Sequence, residues 1–178
     1  MEQVLVAGAK EAPRAGDLAF DRLYRSSRDD VYAYVAGLLR DSTTAEEVTA
    51  AAFERAFRKR NRFDPERGEP RAWLFGIARN AALDELRRRG RQAELTTEPV
   101  DVESFGFSES AEDSERRLAV SAALERLEPR ERELIALKFF AGLANAEIAQ
   151  VLGITESNAG TKLHRAMTKL REACDGDA

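Results

Sequence analysis

The chain has little of several residues that decide a protein's class. A single cysteine, Cys174, in 178 residues excludes an internal disulfide and a cysteine-rich zinc site, and it fits a reducing cytoplasm. There is a single histidine, His164, and no Ser/His/Asp arrangement, phosphate-binding loop or metal-spaced His/Cys cluster, and paired carboxylates occur only in solvated segments. The expectation is a protein that is not an enzyme and calls for neither cofactor nor metal. No apolar run nears the roughly 18 residues of a membrane span. The longest near the start is Val4 to Ala9, and Glu2 stands where a signal peptide carries positive charge, so the expected location is the cytoplasm. Strand-type alternation and internal repeats are missing too, which leaves helix as the building material.

What is there is charge, at 34% of residues, unevenly placed. The formal net charge of −4 argues at first sight against a nucleic-acid partner. From Glu54 to Arg91, however, twelve Arg or Lys face six Asp or Glu, whereas Gln92 to Glu115 holds eight Asp or Glu and no Arg or Lys. A basic domain is masked in the total by an acidic connector.

Helical periodicity gives the organisation. Residues 1–16, with Pro13 and two glycines, read as a loose tail, and Asp17 opens a helix whose stripe is Phe20, Leu23, Tyr24, Val31, Tyr34, Val35, Leu38 and Leu39. A second helix starts at Ser42-Thr43-Thr44, where Thr44 and Glu47 fit a capping box, and runs through Val48, Phe53 and Phe57. Pro70 suits the first turn of a third, whose buried face is Trp73, Leu74, Ile77, Ala78, Ala81 and Leu86 and whose left-handed cap is Gly90. Residues 92–114, interrupted by Pro99 and Gly106 and with Phe105 and Phe107 as their only aromatics, read as an acidic, solvated linker. Beyond it come helices marked by Leu118, Leu124 and Leu127, by Pro129 to Leu137, by Asn145 to Leu152 and by Thr155 to Glu172. The fold class is therefore all-α, two small helical domains at residues 17–91 and 115–173 joined by an acidic flexible linker, with a tail at 174–178.

The segment Asn145 to Ala159 has the layout of a helix-turn-helix. Ala149 is small where two helices cross, Gly153 permits the positive φ of the turn, and Ile148, Leu152 and Ile154 fill the angle between them. Thr155 can cap the second helix, whose early residues then enter a major groove. Ser157, Asn158, Thr161 and Lys162 suit base and phosphate contacts, and Arg165 a phosphate further along. Gly160, inside that helix, costs about 1 kcal/mol relative to alanine, which close approach to a DNA backbone would explain. Asp84-Glu-Leu-Arg-Arg-Arg-Gly-Arg91 is a second basic cluster, following the aromatic start at Trp73 and Phe75. A solvated helix end favoured by the macrodipole is the competing account of it.

Phe20-Asp-Arg-Leu-Tyr24, Ala45-Glu-Glu-Val48 with Phe53-Glu-Arg-Ala-Phe57, Trp73-Leu-Phe-Gly-Ile-Ala-Arg-Asn-Ala-Ala-Leu-Asp84 and the terminal helix-turn-helix together resemble the extracytoplasmic-function (ECF) class of bacterial sigma factors over about residues 17–172. The resemblance implies a promoter-specificity subunit of RNA polymerase, with a region 2-like bundle followed by a region 4-like helix-turn-helix. It implies docking on the β′ clamp coiled coil through Glu46, Glu47, Phe53 and Arg55, and capture of the −10 element as it melts by Phe63, Trp73, Arg79, Asn80, Asp84, Arg87 and Arg88. Residues 63–70 would be the loop that holds an extruded base, a task that needs a shaped pocket, with cations for the phosphates. Ser157 to Arg165 would read the −35 element, the last domain would rest on the β flap, and an anti-sigma factor would be a possible further partner.

Melting in the class needs no ATP, since differential binding to the open strand drives it. Tethering raises the effective concentration of the second contact once the first is made. Two positions depart from the family. Thr49-Ala-Ala-Ala52 stands where a Gln-Asp or Gln-Glu pair is usual, and Gly160 where a lysine is frequent. Two further readings stay open at this level: a free-standing helix-turn-helix regulator and a helical scaffold that never touches DNA. His164, in the recognition helix, has either a phosphate contact or no role, and Cys174 reads as a free thiol without function.

Overall fold

An apolar stripe at helical spacing from Phe20 to Leu39 needs a partner surface, and α1 (Ala15–Leu39) finds it in α2 (Ser42–Lys59) and α3 (Pro70–Leu95) of a computed structural model that describes residues 15–95 and 119–175. Val31, Tyr34 and Val35 of α1, Ala52, Phe53 and Ala56 of α2, and Leu74, Phe75 and Ala78 of α3 are buried together. Edge-on aromatic pairs join the helices: Phe20 with Phe57 at 5.2 Å, Tyr24 with Phe53 at 4.8 Å and Tyr34 with Phe75 at 5.6 Å between centroids. Small alanines on α2 and α3 let the three helices approach closely.

Local chemistry sets the ends, not always as the sequence suggests. The cap of α2 is Asp41 and not Thr44: its carboxylate accepts the Thr44 amide at 3.2 Å and the Thr44 hydroxyl at 2.6 Å. Pro70 does open α3, but the helix passes through Gly90 to Leu95, so Gly90 caps nothing. Leu86 is 37% exposed and lies outside the buried face expected of it.

The second half has a helix at 119–125, α5 (Pro129–Ile135), α6 (Asn145–Leu152) and α7 (Glu156–Asp175), with the 119–125 helix counted as α4. Pro129 is the first residue of α5 behind the Glu128 capping box, and α5 widens over Ala136–Phe140 into a π-helical turn closed by the Ala141 amide on the Ala136 carbonyl at 3.0 Å. Gly153 takes φ 66° between α6 and α7, the left-handed conformation that the turn requires. Ile148 is fully buried and Leu152 and Ile154 pack beside it, and Thr155 accepts the Asn158 amide at 3.2 Å. Among the described residues there is no strand, and no helix is long and apolar enough to cross a membrane.

The two halves share one core. Buried residues run without a break from α1–α3 to Leu134, Leu137, Leu143 and Ile148. The sequence reads as two units because much of what joins them besides that core, Gly37, Arg40, Arg71, Arg79, Glu133 and Gln150, carries no apolar period. Of the segments read as N-terminal tail (1–16), acidic linker (92–114) and C-terminal tail (174–178), residues 15–16, 92–95 and 174–175 belong instead to the ends of α1, α3 and α7; the rest lie outside the described residues, as do residues 115–118 at the start of the second expected domain.

Candidate nucleic-acid interface

The 26 residues of α3 bury Leu74, Phe75, Ala78 and Ala82 on one side, and a helix that does so presents positions 73, 77, 80, 84, 87 and 88 along another. Asn80, Asp84, Arg87 and Arg88 on that line are exposed, Trp73 and Ile77 half-buried. Asp84 accepts from Arg87 at 2.9 Å, and Glu85, beside the line, from Arg88 at 2.7 Å, so the arginines are held along the helix. Arg89 faces elsewhere: it donates to the Leu39 carbonyl at 3.1 Å and to Asp41 at 2.6 Å, clamping the end of α1 to the cap of α2. One arginine of the basic cluster is thus structural.

The stripe runs into a pocket at its N-terminal end. Two short 3₁₀ turns, Arg60–Arg62 and Pro65–Arg67, fold the connection between α2 and α3, and Asp64 caps the second by accepting the Glu66 amide at 3.0 Å. The Phe63 ring leans on Trp73 with centroids 5.3 Å apart. Arg62, Phe63, Asp64, Arg67, Trp73 and, from the other half of the chain, Gln150 line a cavity of about 390 Å³. An aromatic floor with arginines at the rim can stack a base and hold its phosphates.

Arg79 is where the structure departs most from the expected face. Its guanidinium is turned to the second half and makes a forked pair with Glu133, Nε to Oε1 at 2.5 Å and Nη2 to Oε2 at 3.2 Å. Tyr34 donates to the same Oε1 at 3.4 Å. Burial, with the adjacent Glu133 charge, pushes the Tyr34 hydroxyl well above its usual range, so it stays a neutral donor. Neither Glu133 nor Gln150 is singled out in the sequence; the available signal is a carboxylate one turn before Leu137 on the buried stripe of α5.

At the far end, α7 buries Ala159, Leu163 and Ala166 and exposes Ser157, Asn158, Thr161, Lys162 and Arg165 on one face. Thr161 already gives its hydroxyl to the Ser157 carbonyl at 3.0 Å. A Cβ on Gly160 would meet the Asn145 side-chain amide at 3.5 Å, an ordinary contact, so no crowding among the described residues requires glycine there. His164 is exposed. On α2, Glu46, Glu47, Ala50, Ala51 and Arg55 are exposed, but Phe53 is only 6% exposed and belongs to the core, so it is not a surface contact.

Family models match this layout in both halves: Sigma-70 region 2 over residues 23–92 and Sigma-70, region 4 over residues 117–170. The ECF RNA polymerase sigma factor SigK of Mycobacterium ulcerans is 30% identical over 161 residues, covering 88% of this chain and 86% of the relative. The chain belongs to the ECF class of RNA polymerase sigma factors. The ECF sigma factor BldN of Streptomyces coelicolor is 34% identical over 172 residues, covering 94% of this chain, which spans 65% of that relative. Among solved structures, the Bartonella quintana sigma factor RpoE, in complex with the anti-sigma factor NepR, shares the fold with a TM-score of 0.73 at 24% identity, covering 90% of this chain and 99% of that one. CnrH, in complex with the cytosolic domain of CnrY, matches with a TM-score of 0.66 at 25% identity and 90% of each chain. In these terms α1–α3 are region 2 of an ECF sigma factor and α4–α7 are region 4.

Proposed function

We propose that this ECF sigma factor binds core RNA polymerase, directs it to specific promoters and assists their melting, as a subunit without catalysis of its own. The observation that carries the reading is the line along α3 from the Phe63–Trp73 pocket through Asn80 and Asp84 to Arg87 and Arg88, which sets stacking rings, an amide and guanidinium groups on one face, as single-strand binding needs. The line would serve the −10 element and the exposed face of α7 the −35 element. Glu46, Glu47 and Arg55 on α2 would meet the β′ clamp coiled coil, and region 4 the β flap. With Ala50 and Ala51 exposed where the family's polar pair usually stands, that dock leans on charge at its edges and on shape. An anti-sigma factor is proposed as a further partner, since RpoE, which shares the fold, was solved with the anti-sigma factor NepR bound.

The test is transcription in vitro with purified core on a promoter library, alongside gel filtration of the mixture. Promoter-specific transcripts and co-elution with core are expected. Their joint absence would reject the function.

A further inference from the structure

The exposed face of α7 carries two kinds of side chain. Lys162 and Arg165 are cationic, and neither has a hydrogen bond or ion pair among the described residues, so both are free to meet phosphates. Asn158 and Thr161 have no charge with which to neutralise a phosphate. They stand three residues apart near the start of the helix, the part of a recognition helix that reaches base edges. Three residues rise about 4.5 Å along a helix, close to the roughly 3.4 Å between stacked base pairs, so the two side chains can address neighbouring pairs.

What each offers is set by the bonds already made. The Thr161 hydroxyl is turned back on its own helix, where it donates to the Ser157 carbonyl at 3.0 Å, and the group left to face outward is the methyl. The Asn158 backbone amide is fixed by the Thr155 cap at 3.2 Å, while its carboxamide makes no hydrogen bond among the described residues. A carboxamide has both a donor and an acceptor, which match the N7 acceptor and N6 donor on the major-groove edge of adenine. A methyl matches the 5-methyl group of thymine. Methyl groups touch only at about 4.0–4.5 Å, so the helix must sit deep in the groove. Gly160 lies among the exposed residues Ser157, Thr161 and His164 and carries no side chain that would hold the helix off.

Resting on the sigma-factor reading, we propose that α7 reads an A·T step of the −35 element. The Asn158 carboxamide takes the major-groove edge of an adenine, and the Thr161 methyl takes the 5-methyl group of a thymine in the neighbouring base pair. Lys162 and Arg165 hold the flanking phosphates and fix the register. Deleting the thymine methyl should weaken binding about fourfold, the effect of one buried methyl group. Breaking the adenine pair should weaken it about fivefold or more.

The test uses the full chain bound to core polymerase, which selects duplexes from a pool randomised upstream of the −10 region. Each thymine of the selected −35 element is replaced in turn by deoxyuridine, which lacks only the methyl, and each adenine by 7-deazaadenine, which lacks only the N7 acceptor. Binding is followed by anisotropy. One deoxyuridine should weaken the parent about fourfold. Thr161→Ser keeps the hydroxyl and its bond to Ser157 but not the methyl, so it should bind the unmodified duplex about fourfold more weakly and no longer respond to deoxyuridine. Thr161→Val keeps the methyl and should keep the response. Asn158→Ala should abolish the response to one 7-deazaadenine. A selected element without such a step, one whose thymines and adenines all tolerate replacement, or responses that persist in Thr161→Ser and Asn158→Ala, would overturn the assignment. Selection of no −35 element at all would reject the sigma-factor reading, and the assignment with it.

Discussion

Arg79 of region 2 and Glu133 of region 4 form a two-point ion pair at the junction of the halves, with side chains 27% and 9% exposed. Removing either partner leaves the other charge in a low-dielectric place, an arrangement more costly than losing both. The loss is bounded by the cost of parting the two regions, after which both charges regain water. Glu133→Ala and Arg79→Ala should each lower stability by about 1–3 kcal/mol, and the double change by no more than the larger of the two. Urea unfolding of the four proteins in the cycle measures this; additive losses would show that the pair is not coupled.

Gly160 lies inside α7 with room for a methyl group. Gly160→Ala should therefore raise stability by about 1 kcal/mol, through helix propensity and a less free unfolded chain. Urea midpoints check the gain. Weaker binding of a −35 duplex by the same variant would show that the glycine serves close backbone approach to DNA; equal binding would show that it does not.

Lys162 is exposed on the α7 face and is assigned a phosphate. Lys162→Ala should weaken binding to a −35 duplex and reduce the slope of log K against log salt by about one. Anisotropy titrations over a range of salt decide it, and an unchanged slope would exclude the contact.

Acid should loosen region 2 in a defined window. Hydrogen bonds from the Thr44 hydroxyl and amide hold the Asp41 carboxyl below its usual range, and those from Arg88 and then Arg89 do the same for Glu85. A depressed folded value means that the stabilisation is complete above the ordinary carboxylate values of about 4 and is lost as pH falls through the lower folded ones. Melting temperature should be level from pH 7 to 5 and fall below about pH 4. Asp41→Asn keeps a capping side chain but cannot titrate, so it should show a shallower acid limb; identical limbs would remove Asp41 from the account.

Those particulars show what could be read from residues alone. Gly153 and Thr155 were legible because a helix-turn-helix demands a positive φ and a cap at those places, and the chain supplies the residues that meet them. The start of α2 was less so, because Asp41, Ser42, Thr43 and Thr44 are all capable caps and only the backbone geometry chooses among them. Gly90 misled because neighbouring good helix formers carry α3 past it. Phe53 misled as well: a motif that marks a docking helix also contains that helix's core residues. The packing of region 4 on region 2 is not legible in the same way, since Gln150 and Glu133 read as ordinary surface residues and Arg79 as part of the DNA face until both halves are placed in space.

The most direct test of the central claim follows strand opening itself. On a promoter recovered from the library, permanganate should modify thymines in the −10 region when core and this chain are both present, and not with core alone. Asn80→Ala and Arg88→Ala should reduce that reactivity severalfold while the closed complex still forms in a mobility-shift assay. Reactivity that is the same with and without the chain, or equal among parent and variants, would contradict the assignment of the α3 face to promoter melting.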